Sequence, residues 1–499
     1  MQQSFESAID GIMTIEVLKK YKATILSISR KIVYNVVASS ASKVLSTVGA
    51  LINIGLITRY LGQESFGLYV TALAFFLFFI SIGDWGLYQT MTREISRPNA
   101  DEEKIISNVA GLRVVVSLLI VILAPAIIFF LPYPSELKMA LIIVSFAFFF
   151  ASFTQLLVGL YQKRLKMDRV AFAELGGKVL QVIMVFIGVK LDLGFNFIIS
   201  TLLATMAFNF FVVFLISRKF VRFKLSFDIE YWKKFLLQAM PIGLSVIVTF
   251  VYFKADSIIL SLMRPPADVG IYGAAYKIIE NLSFFPSMIV GLTMPLFAYN
   301  IFTNRKKFEL IANKNFKVFV ILILPLVVGA VLLSEGIINL IAGPEFTGSA
   351  PVLRIIIFSI AFIFFGHLFN NILIAAKLQK KLFWALFVAA IFNLTLNLLL
   401  IPKYSYIATA YISVATEFLV VLFGIFITWR NLKFIPKADG LPSIAISAGL
   451  MAIYLILFAN LPFFVLVVTC PLIYFGGLIA LGGIKKKELM LLFKKDIPS

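Results

Sequence analysis

Charged side chains within or beside long apolar segments are the first candidates for function in this sequence. Basic residues there suit an anionic ligand, and acidic residues suit gating or ion coupling. The basic candidates are Lys43, Lys254, Lys277, Lys178, Arg113, Arg59 and Arg93, and the acidic candidates are Asp256, Glu280, Asp84 and Glu417. A charge at mid-membrane costs several kcal/mol unless it is paired or hydrated, so each one is a functional candidate. Near the end of a segment, the side chain can instead reach the interface, which is a purely structural explanation.

A polar face in the first apolar segment predicts a water-filled interior. Small or polar residues recur there at Ser39, Ser42, Lys43, Ser46, Thr47, Ala50 and Asn53. This spacing places them on one side of a helix. Such stripes often serve only close helix packing. Lys43, however, lies too deep to reach the interface easily, and this favours a wet cavity.

A second polar face and more charges follow in the seventh and eighth segments. The face comprises Gln238, Pro241, Ser245, Thr249, Tyr252 and Asp256. Lys254 is two positions from Asp256, so these two side chains point to different sides of the helix. Lys277 and Glu280, three positions apart, share one face. Pairing among these charges explains them as well as a functional site does. Several buried lysines would nevertheless suit a phosphate or diphosphate, because a low dielectric strengthens the attraction.

The remaining intramembrane charges differ in depth. Asp84 and Arg93 lie near the inner end of the second segment, and Arg113 is also close to the inner surface. Contact with the interface, or pairing at a gate, explains these residues well. Lys178 lies at an intermediate depth in its segment. Glu417 lies near the middle of the twelfth segment and is harder to explain without a function.

The elements that must position these residues are transmembrane helices. Of 499 residues, 61% are hydrophobic and 14% are charged, whereas soluble domains have about 45–50% apolar and about 25% charged residues. The apolar runs are continuous rather than alternating, which favours helices over a β-barrel. A membrane helix needs ~20 apolar residues, so we predict an all-α polytopic fold with about fourteen helices. The approximate ranges are 34–58, 69–90, 107–131, 138–161, 170–190, 194–217, 235–262, 270–298, 316–333, 351–376, 382–401, 406–428, 442–460 and 462–483.

The distribution of basic residues predicts the orientation. The net charge of +20 reflects the enrichment of lysine and arginine in cytoplasmic loops rather than nucleic-acid binding, because these residues fall between apolar runs. With the N-terminus inside, most of the 45 lysines and arginines lie in inner loops. The few in outer loops are Arg59, Lys138, Lys190, Arg264, Arg354 and Lys403. We therefore predict a multi-pass protein of the cytoplasmic (inner) membrane with both termini in the cytoplasm.

A weak internal repeat divides the chain. Phe66-Gly67-Leu68-Tyr69 opens the second segment, and Val269-Gly270-Ile271-Tyr272 opens the eighth. Because six segments separate them, the two halves share one orientation, as in transporters whose substrate site lies between parallel repeats. The predicted regions are an N-terminal arm at 1–33, a six-helix bundle at 34–217, a basic linker at 218–234, a second six-helix bundle at 235–430, and the last two helices with a basic tail at 431–499.

Several kinds of chemistry are missing from the sequence. Gly176-Gly177-Lys178 resembles the end of a phosphate-binding loop, but the upstream glycine is missing and Val179 replaces the serine or threonine. One histidine and one cysteine argue against a zinc site. The outer loops are too short for the soluble face that a membrane glycosyltransferase needs. We expect no enzyme activity, metal or cofactor, and any work must draw on an ion gradient, the membrane potential or the substrate's own gradient.

Short motifs in a specific order extend over residues 30–430. They are Arg59-Tyr60-Leu61-Gly62-Gln63-Glu64-Ser65-Phe66-Gly67, Gly83-Asp84-Trp85-Gly86-Leu87 with Thr92-Arg93-Glu94, Lys254-Ala255-Asp256, Val269-Gly270-Ile271-Tyr272-Gly273-Ala274-Ala275-Tyr276-Lys277, Gly343-Pro344-Glu345-Phe346, and Asn393 to Asn397 with Ile401-Pro402. Together they resemble the polysaccharide flippase family, the Wzx-like branch of the multidrug/oligosaccharidyl-lipid/polysaccharide (MOP) exporter superfamily.

This resemblance implies a flippase for polyprenyl-diphosphate-linked oligosaccharides. Two six-helix bundles would enclose a cationic cavity, the last two helices would pack outside, and alternating access would move the substrate from the cytoplasmic to the outer leaflet. By analogy, the substrate-binding residues are Lys43, Lys254, Lys277, Lys178 and Arg113, and the gate or coupling residues are Asp256, Glu280, Asp84, Glu417, Arg59 and Arg93. The family often has arginine in the cavity, whereas lysine dominates here, and this weakens the case for bidentate phosphate recognition.

The resemblance also implies partners and alternatives. The partners would be the lipid-linked oligosaccharide, membrane lipids, H+ or Na+ as coupling ions, and other glycan-assembly proteins. The main alternative is a MATE-like, ion-coupled multidrug or small-solute antiporter of the same superfamily. Such an antiporter should concentrate unpaired carboxylates at mid-span, whereas this sequence has more lysines. A membrane glycosyltransferase or ligase is the third class.

Overall fold

A computed structural model describes residues 15–218 and 224–484 of the chain, with side chains from Ser42 onward. Within these ranges the regular structure is helical and contains no strand. Three parts of the predicted regions lie outside the described residues: 1–14 of the arm, 219–223 of the basic linker and 485–499 of the tail. Ser39 of the predicted polar face lies outside the described side chains.

The first half of the described chain contains a long bent helix and several shorter ones. They are α1 (Ile15–Asp84), α2 (Leu87–Ile95), α3 (Glu102–Phe129), α4 (Ser135–Lys163), α5 (Met167–Lys190) and α6 (Gly194–Ser217). The backbone of α1 leaves the helical conformation at Gly62, with φ 67° and ψ −178°. Glycine adopts this positive φ without the steric cost of a Cβ. Gly62 therefore divides α1 into a first arm (15–61) and a second arm (63–84).

The second half begins after the linker. Its helices are α7 (Ile229–Met263), α8 (Pro266–Leu282), α9 (Phe284–Thr303), α10 (Arg305–Leu332), α11 (Ser334–Ile341), a 3-10 turn (Pro344–Phe346), α12 (Ser349–Ala375), α13 (Gln379–Leu432), α14 (Leu441–Leu457) and α15 (Phe463–Ala480). Ser405, with φ 51° and ψ −140°, divides α13 as Gly62 divides α1.

The described helices account for the predicted membrane segments. Eleven are long and apolar enough to cross a membrane when α8 and α9 are taken as one. Both α1 and α13 contain two of the predicted segments, and the shorter helix α14 corresponds to the segment predicted at 442–460. The prediction of an all-α polytopic fold with about fourteen helices is confirmed.

The helices pack mainly within each half. In the first half α4 lies against α6 and α3, and α1 lies against α5. In the second half α13 lies against α12 and α7, and α10 against α12. The last two helices pack against each other and on α10, where the buried hydroxyl of Tyr474 donates to the carbonyl of Ile321 at 2.9 Å. The second arm of α1 meets α7 and α8, so the two halves face each other along these helices.

The chain leading into α7 is attached to the first half. The Ser226 N–H donates to the carbonyl of Ser107 at 3.1 Å, and the indole N–H of Trp232 donates to the carbonyl of Asn108 at 2.9 Å. A Cβ at Gly111 would lie 2.0 Å from the Ser226 carbonyl oxygen, so the linker reaches α3 only because glycine occupies that position. This attachment sets where the second half begins relative to the first.

Candidate functional site

A cavity of about 760 Å³ lies between the two halves. Seven helices contribute to its wall: α1, α5 and α6 from the first half, and α7, α8, α9 and α12 from the second. The polar residues of the wall are Lys43, Ser46, Thr47, Asn53, Glu174, Lys178, Gln181, Thr205, Asn209, Thr249, Tyr252, Lys277, Glu280, Asn281, Ser283, Ser287 and His367. Most of the predicted polar face of α1 therefore faces this cavity. Ser42 instead donates to the carbonyl of Ala171 at 2.7 Å and ties α1 to α5.

The second half presents three charges in direct contact. The Glu280 carboxylate lies 2.9 Å from the Lys254 ammonium and 2.7 Å from the Lys277 ammonium. Lys254 also lies over the ring of Tyr276, 4.3 Å from its centroid. We refer to Lys254, Lys277 and Glu280 as the Glu280 cluster. One carboxylate shared by two lysines leaves this cluster with a net charge of +1.

The first half contributes two lysines without a carboxylate partner. The Lys178 ammonium donates to the amide oxygen of Gln181 at 2.9 Å. The Lys43 ammonium lies 5.3 Å from the centroid of the Phe284 ring, across the boundary between the halves. Among the described residues, neither lysine has a carboxylate oxygen within 4.0 Å. A Cβ at position 49 would lie 3.2 Å from the Lys178 side chain, so Gly49 leaves room for this lysine beside α1.

The cavity as a whole carries an excess of positive charge. Lys43, Lys178 and Lys277 line it together with two carboxylates, those of Glu174 and Glu280. Lys178 interacts electrostatically with Lys43, Lys277 and Glu280, so charges of both halves act on one another across the cavity. Because the Lys277 and Glu280 side chains are only 17% and 28% exposed, the effective dielectric is lower than at a protein surface, and a multivalent anion would be attracted more strongly here.

A groove of about 490 Å³ adjoins the cavity between the second arm of α1, α2 and α7. Its wall is mostly apolar and includes Leu77, Ile242, Val246 and Phe250. Lys254 lines this groove rather than the cavity, and Glu280 lines both. The Glu280 cluster therefore lies where the two spaces meet.

Asp256 does not line the cavity or the groove. It is 3% exposed and accepts hydrogen bonds from the Tyr272 hydroxyl at 2.6 Å and the Ser257 N–H at 2.6 Å. The Ser413 hydroxyl lies at 3.3 Å. Asp256 thus joins α7, α8 and α13 inside the second half. As predicted from their spacing, Asp256 and Lys254 lie on different sides of α7.

Asp84 and Arg113 form a buried ion pair inside the first half. The guanidinium lies 2.5 Å from the Asp84 carboxylate, and both side chains are almost fully buried. Arg113 also donates to the carbonyl and hydroxyl oxygens of Ser152, at 2.8 and 2.9 Å. This geometry joins α1, α3 and α4 and agrees with the pairing explanation. Neither Arg113 nor Arg93 reaches the cavity; Arg93 lies on α2 beside Glu94 at 3.0 Å.

Arg59 lies outside the cavity wall and joins the two halves. The Arg59 guanidinium donates to the carbonyls of Asn339, Leu340 and Ile341 at 2.9, 2.7 and 3.2 Å, so the first arm of α1 is bonded to the end of α11 in the second half.

Glu417 is 7% exposed in α13. Among the described residues it has no hydrogen-bond or ion-pair partner, and it lies near enough to Tyr252 of the cavity wall to interact electrostatically.

Sequence reasoning missed several cavity residues. Gln181 lies one turn from Lys178, which is a spacing that could have indicated its contact with that lysine. His367 is the only histidine of the chain and interrupts the apolar helix α12. Asn209 packs over Gly177, where a Cβ would lie 2.2 Å from the amide oxygen. No local pattern marks Asn209, because its position depends on how α5 and α6 pack.

Comparison with known families and proteins gives consistent relationships. Residues 32–300 match the family described as polysaccharide biosynthesis protein, and residues 241–399 match the MatE family. The uncharacterized membrane protein MJ1068 of Methanocaldococcus jannaschii is 22% identical over 390 residues, which cover 73% of this chain and 75% of that protein.

Two solved structures share the fold. The lipid II flippase MurJ, in an inward closed conformation, superposes with a TM-score of 0.75 at 17% identity, covering 91% of this chain and 100% of that one. A multidrug resistance MATE family transporter of the MOP superfamily, in an inward-facing conformation, gives a TM-score of 0.62 at 15% identity, covering 80% of this chain and 99% of that one. At these identities the likeness concerns the fold alone.

Proposed function

Because this chain belongs to the polysaccharide biosynthesis protein family, we propose that it flips an oligosaccharide linked to a polyprenyl diphosphate from the cytoplasmic to the outer leaflet. The chain is a membrane transport protein of the MOP superfamily. The observation that carries it is the excess of lysine over carboxylate around the cavity.

The diphosphate is the part of the substrate that this charge distribution suits. Lys43 and Lys178 approach from the first half without carboxylate partners, and Lys277 approaches from the second half. Ammonium groups bind phosphate as point charges, whereas arginine would bind it in a bidentate fork. We therefore expect the site to recognise charge more than a fixed orientation of the headgroup. Lys254 would join these contacts from the adjoining groove.

The neutral part of the cavity suits a sugar. Hydroxyl groups of Ser46, Thr47, Thr249 and Tyr252 line the wall, and hydroxyls both donate and accept hydrogen bonds. A cavity of about 760 Å³ falls within the usual range of ligand sites, roughly 300–1,000 Å³. The apolar polyprenyl chain would remain in the bilayer while the polar headgroup enters the cavity.

Movement of the two halves would expose the cavity to each side in turn. We propose that the bundles at 34–217 and 235–430 move as the two bodies, with the linker at 218–234 between them and the helices of 431–499 outside. The Arg59 contact with α11 joins the halves at the end that charge distribution predicts to be outside. We assign Arg59 to this outer gate. The termini would be cytoplasmic, and the protein would work beside other glycan-assembly proteins of the cytoplasmic membrane.

Glu417 is our candidate for coupling to H+ or Na+. It is a buried carboxylate without a hydrogen-bond or ion-pair partner among the described residues, which is an expensive arrangement unless the group exchanges a proton or holds a cation. Asp256, by contrast, is hydrogen-bonded on several sides. It is the second candidate, because it joins three helices that would shift together.

Reconstitution in liposomes tests the proposal directly. A fluorescent polyprenyl-diphosphate oligosaccharide is placed in one leaflet, and a membrane-impermeant glycosidase reports how much substrate has crossed. We expect crossing to need the protein and to be slowed by the double substitution Lys43→Ala and Lys178→Ala. The matched control is Lys138→Ala, since Lys138 lies in the first turn of α4, away from the cavity, and contacts the ring and the carbonyl of Phe129. Equal crossing with protein-free liposomes would overturn the proposal.

A MATE-like antiporter is the second candidate function. The match of residues 241–399 to the MatE family and the unpaired Glu417 favour it. An antiporter would export cationic dyes when a proton or sodium gradient is imposed. Gradient-driven dye efflux without crossing of the lipid-linked oligosaccharide would establish this alternative and exclude the flippase.

A further inference from the structure

The two copies of the internal repeat meet each other in the structure. A Cβ at Gly67 would lie 1.7 Å from the Pro266 carbonyl oxygen and 3.1 Å from the Gly270 nitrogen. A Cβ at Gly270 would lie 2.1 Å from the Gln63 carbonyl oxygen and 3.2 Å from the Gly67 nitrogen. Each glycine thus faces the carbonyl that precedes the other glycine by four positions. The contact is reciprocal and joins the backbones of the two halves.

Space, and not backbone conformation, requires glycine at these two positions. Both residues lie in helices, at the start of the second arm of α1 and in α8, and neither has a positive φ. Any larger residue would force the two backbones apart, because Cβ atoms essentially never approach other heavy atoms below 3.0 Å. We call Gly67 and Gly270, with the carbonyls they face, the outer glycine contact.

The outer glycine contact closes one end of the cavity. Phe66 and Tyr69, on either side of Gly67, line the cavity wall. Phe66 packs edge-on against Phe346 of the second half, with 5.5 Å between ring centroids. Arg59 and Gln63 donate to backbone carbonyls of the second half in the same region. Separation of the halves at this end must therefore break the glycine contact together with these neighbouring contacts.

A second glycine contact lies at the opposite end of the same segment. A Cβ at Gly243 of α7 would lie 2.7 Å from the Trp85 carbonyl oxygen, and a Cβ at Gly86 would lie 2.7 Å from the Gly243 nitrogen. Trp85 and Gly86 form the turn between α1 and α2, with φ 42° and 74°. Ile242, beside Gly243, lines the groove. We call Gly86 and Gly243 the inner glycine contact.

We propose that the outer and inner glycine contacts are the two gates of this protein, and that both are closed in this structure. The segment 63–86 would move as one rigid element that contacts the second half at each end. Opening toward one side would separate one contact and leave the other in place. This inference rests on the proposed alternating access, and it names the contacts that must part.

Alanine substitutions at the two contacts should expose the cavity to opposite sides of the membrane. Gly67→Ala should hold the outer contact open and expose the cavity to the outer side. Gly243→Ala should hold the inner contact open and expose the cavity to the cytoplasmic side. The matched control is Gly291→Ala, since Gly291 is a helical glycine with nothing within 4 Å of its Cβ position. Gly270→Ala provides a second test of the outer contact.

Accessibility of one cavity cysteine reads out each state. Thr47→Cys places a thiol in the cavity wall, in a background where the single native cysteine is replaced by Cys470→Ala. A membrane-impermeant maleimide is added to right-side-out or inside-out vesicles. We expect about tenfold faster labelling from the outer side for Gly67→Ala and Gly270→Ala, and about tenfold faster labelling from the cytoplasmic side for Gly243→Ala. Gly291→Ala should label like its parent.

The outcomes separate this inference from the proposed function. Equal labelling rates in all variants would overturn the proposed gates. Faster labelling from the same side in Gly67→Ala and Gly243→Ala would also overturn them, as would either variant if it were monodisperse and moved substrate in the liposome assay at the wild-type rate. Labelling needs no substrate. Opposite shifts would therefore support the gates even if reconstituted protein moved no lipid-linked oligosaccharide, a result that would overturn only the proposed substrate.

Discussion

Replacing Glu280 by glutamine should strengthen the binding of a prenyl diphosphate. In the wild-type protein the carboxylate lies 2.9 Å from the Lys254 ammonium and 2.7 Å from that of Lys277. It therefore occupies the position that a phosphate would take between these lysines. Glu280→Gln removes this competing charge and keeps the size of the side chain.

The size of the effect follows from the geometry of the Glu280 cluster. A phosphate oxygen bonded to the same two ammonium groups would lie about 4–5 Å from the carboxylate. Two unit charges about 4 Å apart repel by roughly 4 kcal/mol at an effective dielectric of about 20. The carboxylate is 28% exposed, and solvent screening reduces this value. We expect a gain of about 1.5–3 kcal/mol, or roughly tenfold to hundredfold tighter binding.

The assay uses a soluble probe with the same headgroup. Geranyl diphosphate is titrated into purified protein in detergent, and intrinsic tryptophan fluorescence gives the dissociation constant. The ligand-free variant should also unfold at a lower temperature than the wild type, because two lysines that are only 12% and 17% exposed have lost their partner. Added diphosphate should restore more stability to the variant than to the wild type.

An exposed carboxylate supplies the control for this prediction. Glu335 pairs with Arg354 at 2.7 Å but is 75% exposed in α11, so Glu335→Gln should leave the affinity unchanged. If Glu280→Gln bound geranyl diphosphate no more tightly than the wild type, a competing carboxylate would be the wrong description of Glu280. Diphosphate would then bind elsewhere in the protein.

Further predictions concern single residues of the site. Lys43→Ala removes no ion pair within 4.0 Å and loses the contact with the Phe284 ring, so it should slow crossing in the liposome assay while lowering the melting temperature much less than Asp84→Asn does; a normal crossing rate would remove Lys43 from the headgroup site. Asp84→Asn leaves Arg113 buried without its counter-charge and should cost about 3–5 kcal/mol of stability, seen as a lower melting temperature in detergent; an unchanged melting temperature would contradict this. Glu417→Gln should abolish the stimulation of crossing by an imposed proton gradient without changing the affinity for geranyl diphosphate, and full stimulation in the variant would exclude Glu417 as the coupling group.

Sequence periodicity predicted which residues share a helix face but not what that face contacts. The polar face of α1 is visible in the sequence, and its residues line the cavity. Likewise, the spacing of Lys254 and Asp256 predicted opposite directions. Arg113 shows the limit of this reasoning. Its partner Asp84 is 29 positions away, and only the packing of α3 against α1 shows that the arginine is neutralised within the first half.

Contacts between distant segments account for the rest of what the sequence could not show. Glu280 shares its face with Lys277 by simple spacing, but its contact with Lys254 depends on how α7 and α8 lie together. The repeat around Gly67 and Gly270 is visible in the sequence. Its meaning as a close contact requires the distance between the two copies. Local patterns carry no information about such distances.

The attachment of the linker to α3 has a mechanical consequence. Ser226 and Trp232 are hydrogen-bonded to the first half. The first turn of α7 is therefore held by the first bundle, whereas the rest of this helix belongs to the second bundle. If the bundles move relative to each other, α7 itself would have to bend, because the chain before it is held against α3. Pro241 lies in this helix and lacks the amide hydrogen that would stiffen the helix. We therefore expect α7, which joins the two bundles covalently, to bend at Pro241 when the bundles move.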